Sequence, residues 1–126
     1  MFVMLPSSIQ IMTNEELTGL AGRWPGVTVD SKWDDDLVWS VGGRMFCIRA
    51  ADAGAGAPLS FKVPAERFLE LTGTPGFAPA PYLARAHWVQ ATPGAIPADA
   101  LRAMVRTSYE LVRAKLPKKM QRELVD

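Results

Sequence analysis

Soft metal ligands and redox-active groups are almost missing from this chain, which holds one cysteine and one histidine in 126 residues. A lone cysteine forms no internal disulfide, and one Cys with one His falls short of the four ligands of a structural zinc. No metal and no cofactor is therefore expected. Charge of one sign is missing too. Fourteen Lys and Arg stand against 13 Asp and Glu, a formal +1, which excludes the basic footprint of a dedicated nucleic-acid binder and the acidic profile of a disordered tail. No Lys or Arg precedes Arg23, and Pro6-Ser7-Ser8 breaks the apolar start, so the basic first region and longer apolar core of a secretory signal are not found. No run approaches the ~20 apolar residues of a membrane span. These absences predict a cytoplasmic protein with no membrane association.

What is present is ordinary globular material, 48% hydrophobic and 21% charged. The length suits one domain, taken as residues 13–126 behind an N-terminal extension, 1–12. A domain of this size buries roughly two-thirds of its unfolded surface and needs no cross-link.

Thr13-Asn14-Glu15-Glu16 has capping-box spacing and predicts a short helix with Leu17, Leu20 and Ala21 on one side, stopping before Pro25-Gly26. Val27 and Val29 alternate with polar neighbours, a strand that leads to Lys32-Trp33 and a carboxylate turn at Asp34-Asp35-Asp36. Two β-prone runs, Leu37 to Val41 and Arg44 to Ile48, flank Gly42-Gly43, because glycine alone takes positive φ at both central positions of a tight hairpin without strain. The register so fixed sets Val41 opposite Arg44, Trp39 opposite Phe46 and Leu37 opposite Ile48, with Leu37, Trp39, Val41, Phe46 and Ile48 on one face.

Ala50 to Ala57 is nearly all Ala and Gly and reads as a mobile connection. Leu59, Phe61 and Val63 form another half-buried strand. Pro64 opens a helix with Phe68, Leu69 and Leu71 as its apolar side and Gly73 as its end. A Pro/Gly-rich stretch, Pro75 to Pro81, delivers Tyr82 and Leu83 into a last strand at about His87 to Ala91. Pro97 and Asp99 begin the longest helix, with a core stripe of Leu101, Met104, Val105, Ser108, Leu111 and Val112, and Pro117 ends it. Lys118 to Leu124 forms another exposed turn or two. The order is α-β(3–4)-α-β(1–2)-α. Its class is α+β in two layers, a mainly antiparallel sheet covered by helices on one face.

Catalytic templates fail along this chain. Cys47 lies in an apolar strand with no base nearby in sequence and reads as an inert buried thiol. Asp34, Asp35 and Asp36 are adjacent at a turn, where water solvates carboxylates. Gly42-Gly43 lacks the spacing and Lys-Ser/Thr of a phosphate loop. No enzyme is expected.

Two clusters remain as candidate binding sites. Tyr82, Arg85, His87 and Trp88 offer a cation, a titratable ring and aromatic faces, a mixture that binds anionic or flat ligands. The alternative is a strand-start histidine with its aromatic neighbours in the core. From Pro97 to the end there are seven basic and four acidic residues, against seven and nine in the preceding 96. Arg102, Arg106 and Arg113 share one helix face, followed by Lys118, Lys119 and Arg122. Such a stripe neutralises phosphates or merely keeps a helix soluble.

Several linked segments carry a resemblance: Lys32-Trp33, Asp36-Leu37-Val38-Trp39, Val41-Gly42-Gly43-Arg44-Met45-Phe46, Pro79-Ala80-Pro81-Tyr82-Leu83, His87-Trp88, Ser108-Tyr109-Glu110-Leu111-Val112 and Leu116-Pro117-Lys118-Lys119. In that order, over about Leu17 to Leu124, the chain resembles the MmcQ/YjbR family of small bacterial proteins. The resemblance implies a compact fold similar to type III secretion chaperones and frataxin-like proteins. It also implies DNA binding, the label members commonly carry, and transfers no catalytic residue. With near-neutral charge, such binding is expected to be modest, salt-sensitive and without sequence preference. A chaperone-like module that grips a protein partner, as monomer or dimer, is the competing expectation.

Overall fold

A computed structural model describes residues 13–33, 35–51 and 57–124. The N-terminal extension, Asp34 and residues 52–56 of the Ala/Gly connection lie outside the described residues. Thr13 caps the first helix, α1 (Asn14–Ala21), its side chain accepting from the Glu16 N–H at 3.0 Å. Leu17 and Ala21 are the buried side of that helix.

Four strands follow, β1 (Val27–Lys32), β2 (Asp36–Val41), β3 (Arg44–Ala50) and β4 (Leu59–Lys62), then the short helix α2 (Phe68–Thr72) after a 3-10 turn. The strands β5 (Phe77–Pro79) and β6 (Trp88–Ala91) complete one sheet in the order β1-β2-β3-β4-β6-β5, every neighbouring pair antiparallel. Helix α3 (Ala98–Arg113) lies across the sheet, and α4 (Lys118–Glu123) follows it. The expected α+β class and element order hold.

The core lies between the sheet and the helices. Trp39, Val41, Phe46, Cys47, Leu59, Phe61 and Val89 project from the strands onto Leu17, Leu101, Val105 and Tyr109. Gly42 and Gly43 both have positive φ, 57° and 83°, as a two-residue hairpin turn of this hand requires. Val41 pairs with Arg44 as expected, but the register then slips. Ser40 pairs with Met45 and Trp39 with Cys47, so Phe46 is skipped as the extra residue of a bulge. Beyond it Leu37 faces Arg49 and Val38 faces Ile48, which corrects the expected Trp39–Phe46 and Leu37–Ile48 pairs. The bulge lets the adjacent Phe46 and Cys47 both belong to the core, and Ile48 moves to the opposite face.

Smaller departures follow from packing. Leu69 is exposed rather than core. His87 precedes the last strand in a left-handed conformation, φ 64°. Helix α3 ends at Arg113, and Pro117 serves as the cap of α4 instead of the stop of α3. Tyr109 is fully buried and donates its hydroxyl to the Pro25 carbonyl at 2.6 Å.

Candidate functional site

Helix α3 uses its arginines internally. Arg102 pairs with Asp99 one turn earlier, and Arg106 pairs with Glu110 at 3.3 Å. The Arg106 guanidinium also lies over the rings of Trp24 and Tyr109, at 5.1 and 4.9 Å from their centroids. Arg113 donates to the Leu124 carbonyl and to the Tyr109 hydroxyl. Arg106 and Arg113 thus clamp the Trp24–Phe46–Tyr109 ring cluster and Leu124. Lys118, Lys119 and Arg122 are different: all three are exposed on α4, without an ion pair among the described residues.

The Tyr82, Arg85, His87 and Trp88 group does not converge on one recess. The His87 ring meets Phe68 edge-on at 5.7 Å, and Arg85 is exposed and lines neither of the two cavities described below. Trp88 is buried beside Lys62, its partner across β4 and β6. Tyr82 is fully exposed on a turn closed by the Leu83 N–H to the Ala80 carbonyl. Pro81 and Tyr82 are the central residues of that turn, and Tyr82 takes the positive φ, 64°, that glycine normally fills there.

Tyr82 and Trp88 instead belong to two adjoining cavities, the first on the sheet face turned away from the core and the second at the end of the sheet, where Val112 of α3 and Lys115 also line it. A cleft of about 620 Å³ is floored by Met45, Ile48, Ser60 and Gln90, with Trp33 on one rim and Pro81, Tyr82 and Leu83 on another. Trp33 is 62% exposed and, like Tyr82, holds a positive φ, 51°. Large side chains in this conformation are strained, and such residues concentrate where a ligand is gripped. Asp36 is the carboxylate of this cleft among the described residues.

A second cavity, about 510 Å³, shares Trp33, Met45 and Leu83 with the first. Its wall carries Lys32, Arg44, Lys62 and Lys115 and, among the described residues, no carboxylate. Burial, and then the nearby charge of Lys115, pushes the Lys62 ammonium below the ordinary lysine range. Its Nζ donates to the Ala86 carbonyl. Helix α4 packs against the same end of the sheet, where a Cβ on Gly42 would meet Leu116 and Met120 side chains at 2.8 Å. Lys118 and Lys119 of that helix follow Lys115 by three and four residues and are exposed, outside the lining of the cavity. The arrangement can hold an anion beside an apolar, aromatic-rimmed trough.

Sequence reasoning passed over Lys32, Arg44, Lys62, Met45 and Ile48. One signal for them existed, since Leu37-Val38-Trp39 and Met45-Phe46-Cys47-Ile48 are apolar on both sides of the pleat, as strands covered on both faces are. Val38, on the outer face, is fully buried. Two further buried groups stabilise the fold, of which Arg49 also lines the first cleft. Burial pushes the Cys47 thiol up to about 12 against a smaller opposite pull from Arg49. Arg49, 2% exposed, donates to the Ala57 carbonyl through Nε and Nη2 and to Asn14 Oδ1 through Nη1. Among the described residues no three of His, Cys, Asp and Glu gather to hold a metal, and no helix is long and apolar enough to cross a membrane.

The family model described as YjbR matches residues 22–111. Among solved structures, Deinococcus radiodurans protein DR2400, described as a DUF419 domain, is similar at 32% identity and a TM-score of 0.82. That match covers 90% of this chain and 88% of the other. A protein from Pseudomonas syringae shares the fold at 18% identity and a TM-score of 0.66, over 80% of this chain and 99% of its own. Among curated proteins none matches significantly.

Proposed function

The chain belongs to the YjbR family, and from that premise we propose that it is a nucleic-acid-binding protein acting through the basic corner where its sheet meets the end of α3. The observation that carries this reading is the cavity walled by Lys32, Arg44, Lys62 and Lys115 with no carboxylate among the described residues. Such a cluster neutralises phosphates and releases the counterions condensed on the nucleic acid, which supplies affinity without reading bases. The α3 arginines are poorer candidates, because Asp99, Glu110 and the Leu124 carbonyl already occupy them. With a formal charge of +1 the affinity is weak, on the order of micromolar or above at physiological salt.

The test is fluorescence anisotropy of a labelled duplex of arbitrary sequence over a salt series. Arg44→Glu with Lys115→Glu, both exposed in the free protein, is expected to abolish retention, while neutralising any one phosphate-binding cation lowers the salt slope by about 0.9. Arg102→Glu is expected to leave binding close to wild type. Unchanged binding in the double variant would remove this corner from consideration. A second reading, a module that grips a protein partner, is favoured by the exposed Trp33 and Tyr82 beside an apolar cleft. It expects no nucleic-acid binding even at low salt.

A further inference from the structure

We propose that the two adjoining cavities form one subsite for an unpaired nucleotide of a single strand, its base lying in the cleft between Trp33 and Tyr82 and its phosphate on Lys62 and Lys115. This deepens the nucleic-acid reading and rests on it. A basic corner alone takes any polyphosphate chain, duplex or single strand. The neighbouring cleft is different in chemistry: its floor is apolar at Met45 and Ile48, and its rims are exposed rings. A base inside a duplex has no free face to offer those rings, whereas an unpaired base stacks on any aromatic regardless of identity.

Charge decides the orientation. Two charged residues line the larger cleft, but Arg49 is 2% exposed and spends its guanidinium on the Ala57 carbonyl and Asn14, so Asp36 is the charge a ligand meets; it repels a phosphate there and can accept an N–H from a base edge. The smaller cavity has four cations and no carboxylate among the described residues. Trp33 borders both, so a ligand spanning them passes under one ring. The volume of the cleft falls within the ~300–1,000 Å³ common for sites that enclose small organic groups. Trp33 and Tyr82 are held by left-handed backbone, strain that packing does not require, since both side chains stand in solvent. The proline turn stiffens Tyr82 further.

The experiment compares a labelled oligothymidine with a duplex of equal length by anisotropy at low salt, for the wild type and for Trp33→Ala and Tyr82→Ala. Both residues are exposed, so the fold is expected to tolerate either change, which circular dichroism checks. The single strand is expected to bind about tenfold or more tightly than the duplex. Each substitution is expected to weaken the single strand by about 5-fold or more and to leave the duplex unaffected. Oligothymidine is also expected to quench tryptophan fluorescence, and Trp33→Ala to remove most of that quenching. Equal affinity for both nucleic acids, or aromatic variants with wild-type affinity, would overturn the base subsite and leave the phosphate-binding reading standing. Binding of neither would overturn both.

Discussion

Ser108 sits in the apolar stripe of α3 with no exposure, and its hydroxyl mends a gap in the sheet. Strands β3 and β4 pair only at Cys47–Phe61 and Ile48–Ser60. One step further, where the bulge has turned Phe46, the ladder opens. The Ser108 hydroxyl enters there, donating to the Phe46 carbonyl at 2.6 Å and accepting from the Lys62 N–H at 2.9 Å. Ser108→Ala removes both bonds and leaves the buried Phe46 carbonyl and the partly buried Lys62 N–H without this partner. Each such group costs about 1–3 kcal/mol, so the upper bound is about 6 kcal/mol. Partial closure of the strands recovers some of that, and about 2–4 kcal/mol is expected. Urea denaturation reads the loss as a lower midpoint with an unchanged slope. Hydrogen exchange gives an independent check, because the Lys62 amide is expected to lose protection while those of β2 keep theirs relative to global stability. A loss below about 1 kcal/mol with the Lys62 amide still protected would refute the reasoning, since it would mean that the two strands can join directly.

Cys47 is fully buried with a thiol pushed up to about 12, so iodoacetamide is expected to label the native protein only through unfolding, at a rate that follows urea concentration; brisk native labelling would contradict its burial. Gly42→Ala forces a side chain onto φ 57° and against Leu116 and Met120 at 2.8 Å, an expected loss of about 1–2 kcal/mol or more, whereas Gly43→Asn, at φ 83° with open space, is expected to change the urea midpoint little. Lys62 has a folded pKa below its ordinary 10.5, so the unfolded chain holds more protons in the window between the two values and stability rises with pH there. Relative to Lys62→Met, the wild type is expected to gain stability as pH climbs towards 10.5 and to lose nucleic-acid affinity over the same window as the cation neutralises; a parallel stability profile in the two proteins would show that Lys62 carries no burial penalty.

Local chemistry made much of this fold legible. Thr13 and Glu16, Gly42-Gly43 and Gly73 act through the chain beside them, and their structures follow from dihedral and capping preferences. The register of β2 on β3 did not follow, because the turn fixes only its first pair. The bulge at Phe46 comes from tertiary demands: Phe46 is needed at 5.5 Å from Tyr109, edge to face, and Cys47 is needed opposite Phe61. A strict period of two cannot give both neighbours to the core. The same slip carries Ile48 to the outer face, where it becomes cleft floor. One unreadable residue in the register thus moved a residue from core to candidate site.

The basic cluster was hidden for a related reason. Counting charge along the chain finds the excess after Pro97 but gives no account of which cations are occupied. Arginine is planar and stacks, and α3 places Arg106 where two rings and a carboxylate take it up. Lysine is a compact point charge on a flexible stem, and Lys32, Lys62 and Lys115 come from three separate elements to one end of the sheet. No spacing rule joins them, since β1, β4 and the segment after α3 meet only through the sheet order and the crossing of α3. The division follows from geometry: the guanidinium groups of Arg106 and Arg113 are consumed in holding α3 to the ring cluster and to Leu124, which leaves the three lysines, with Arg44 of β3, to meet an outside anion. Exchanging the two chemistries, with Arg106→Lys, is therefore expected to weaken the fold by about 0.5–1 kcal/mol through lost stacking while leaving duplex binding intact. Loss of binding at unchanged stability would instead place the phosphate on α3.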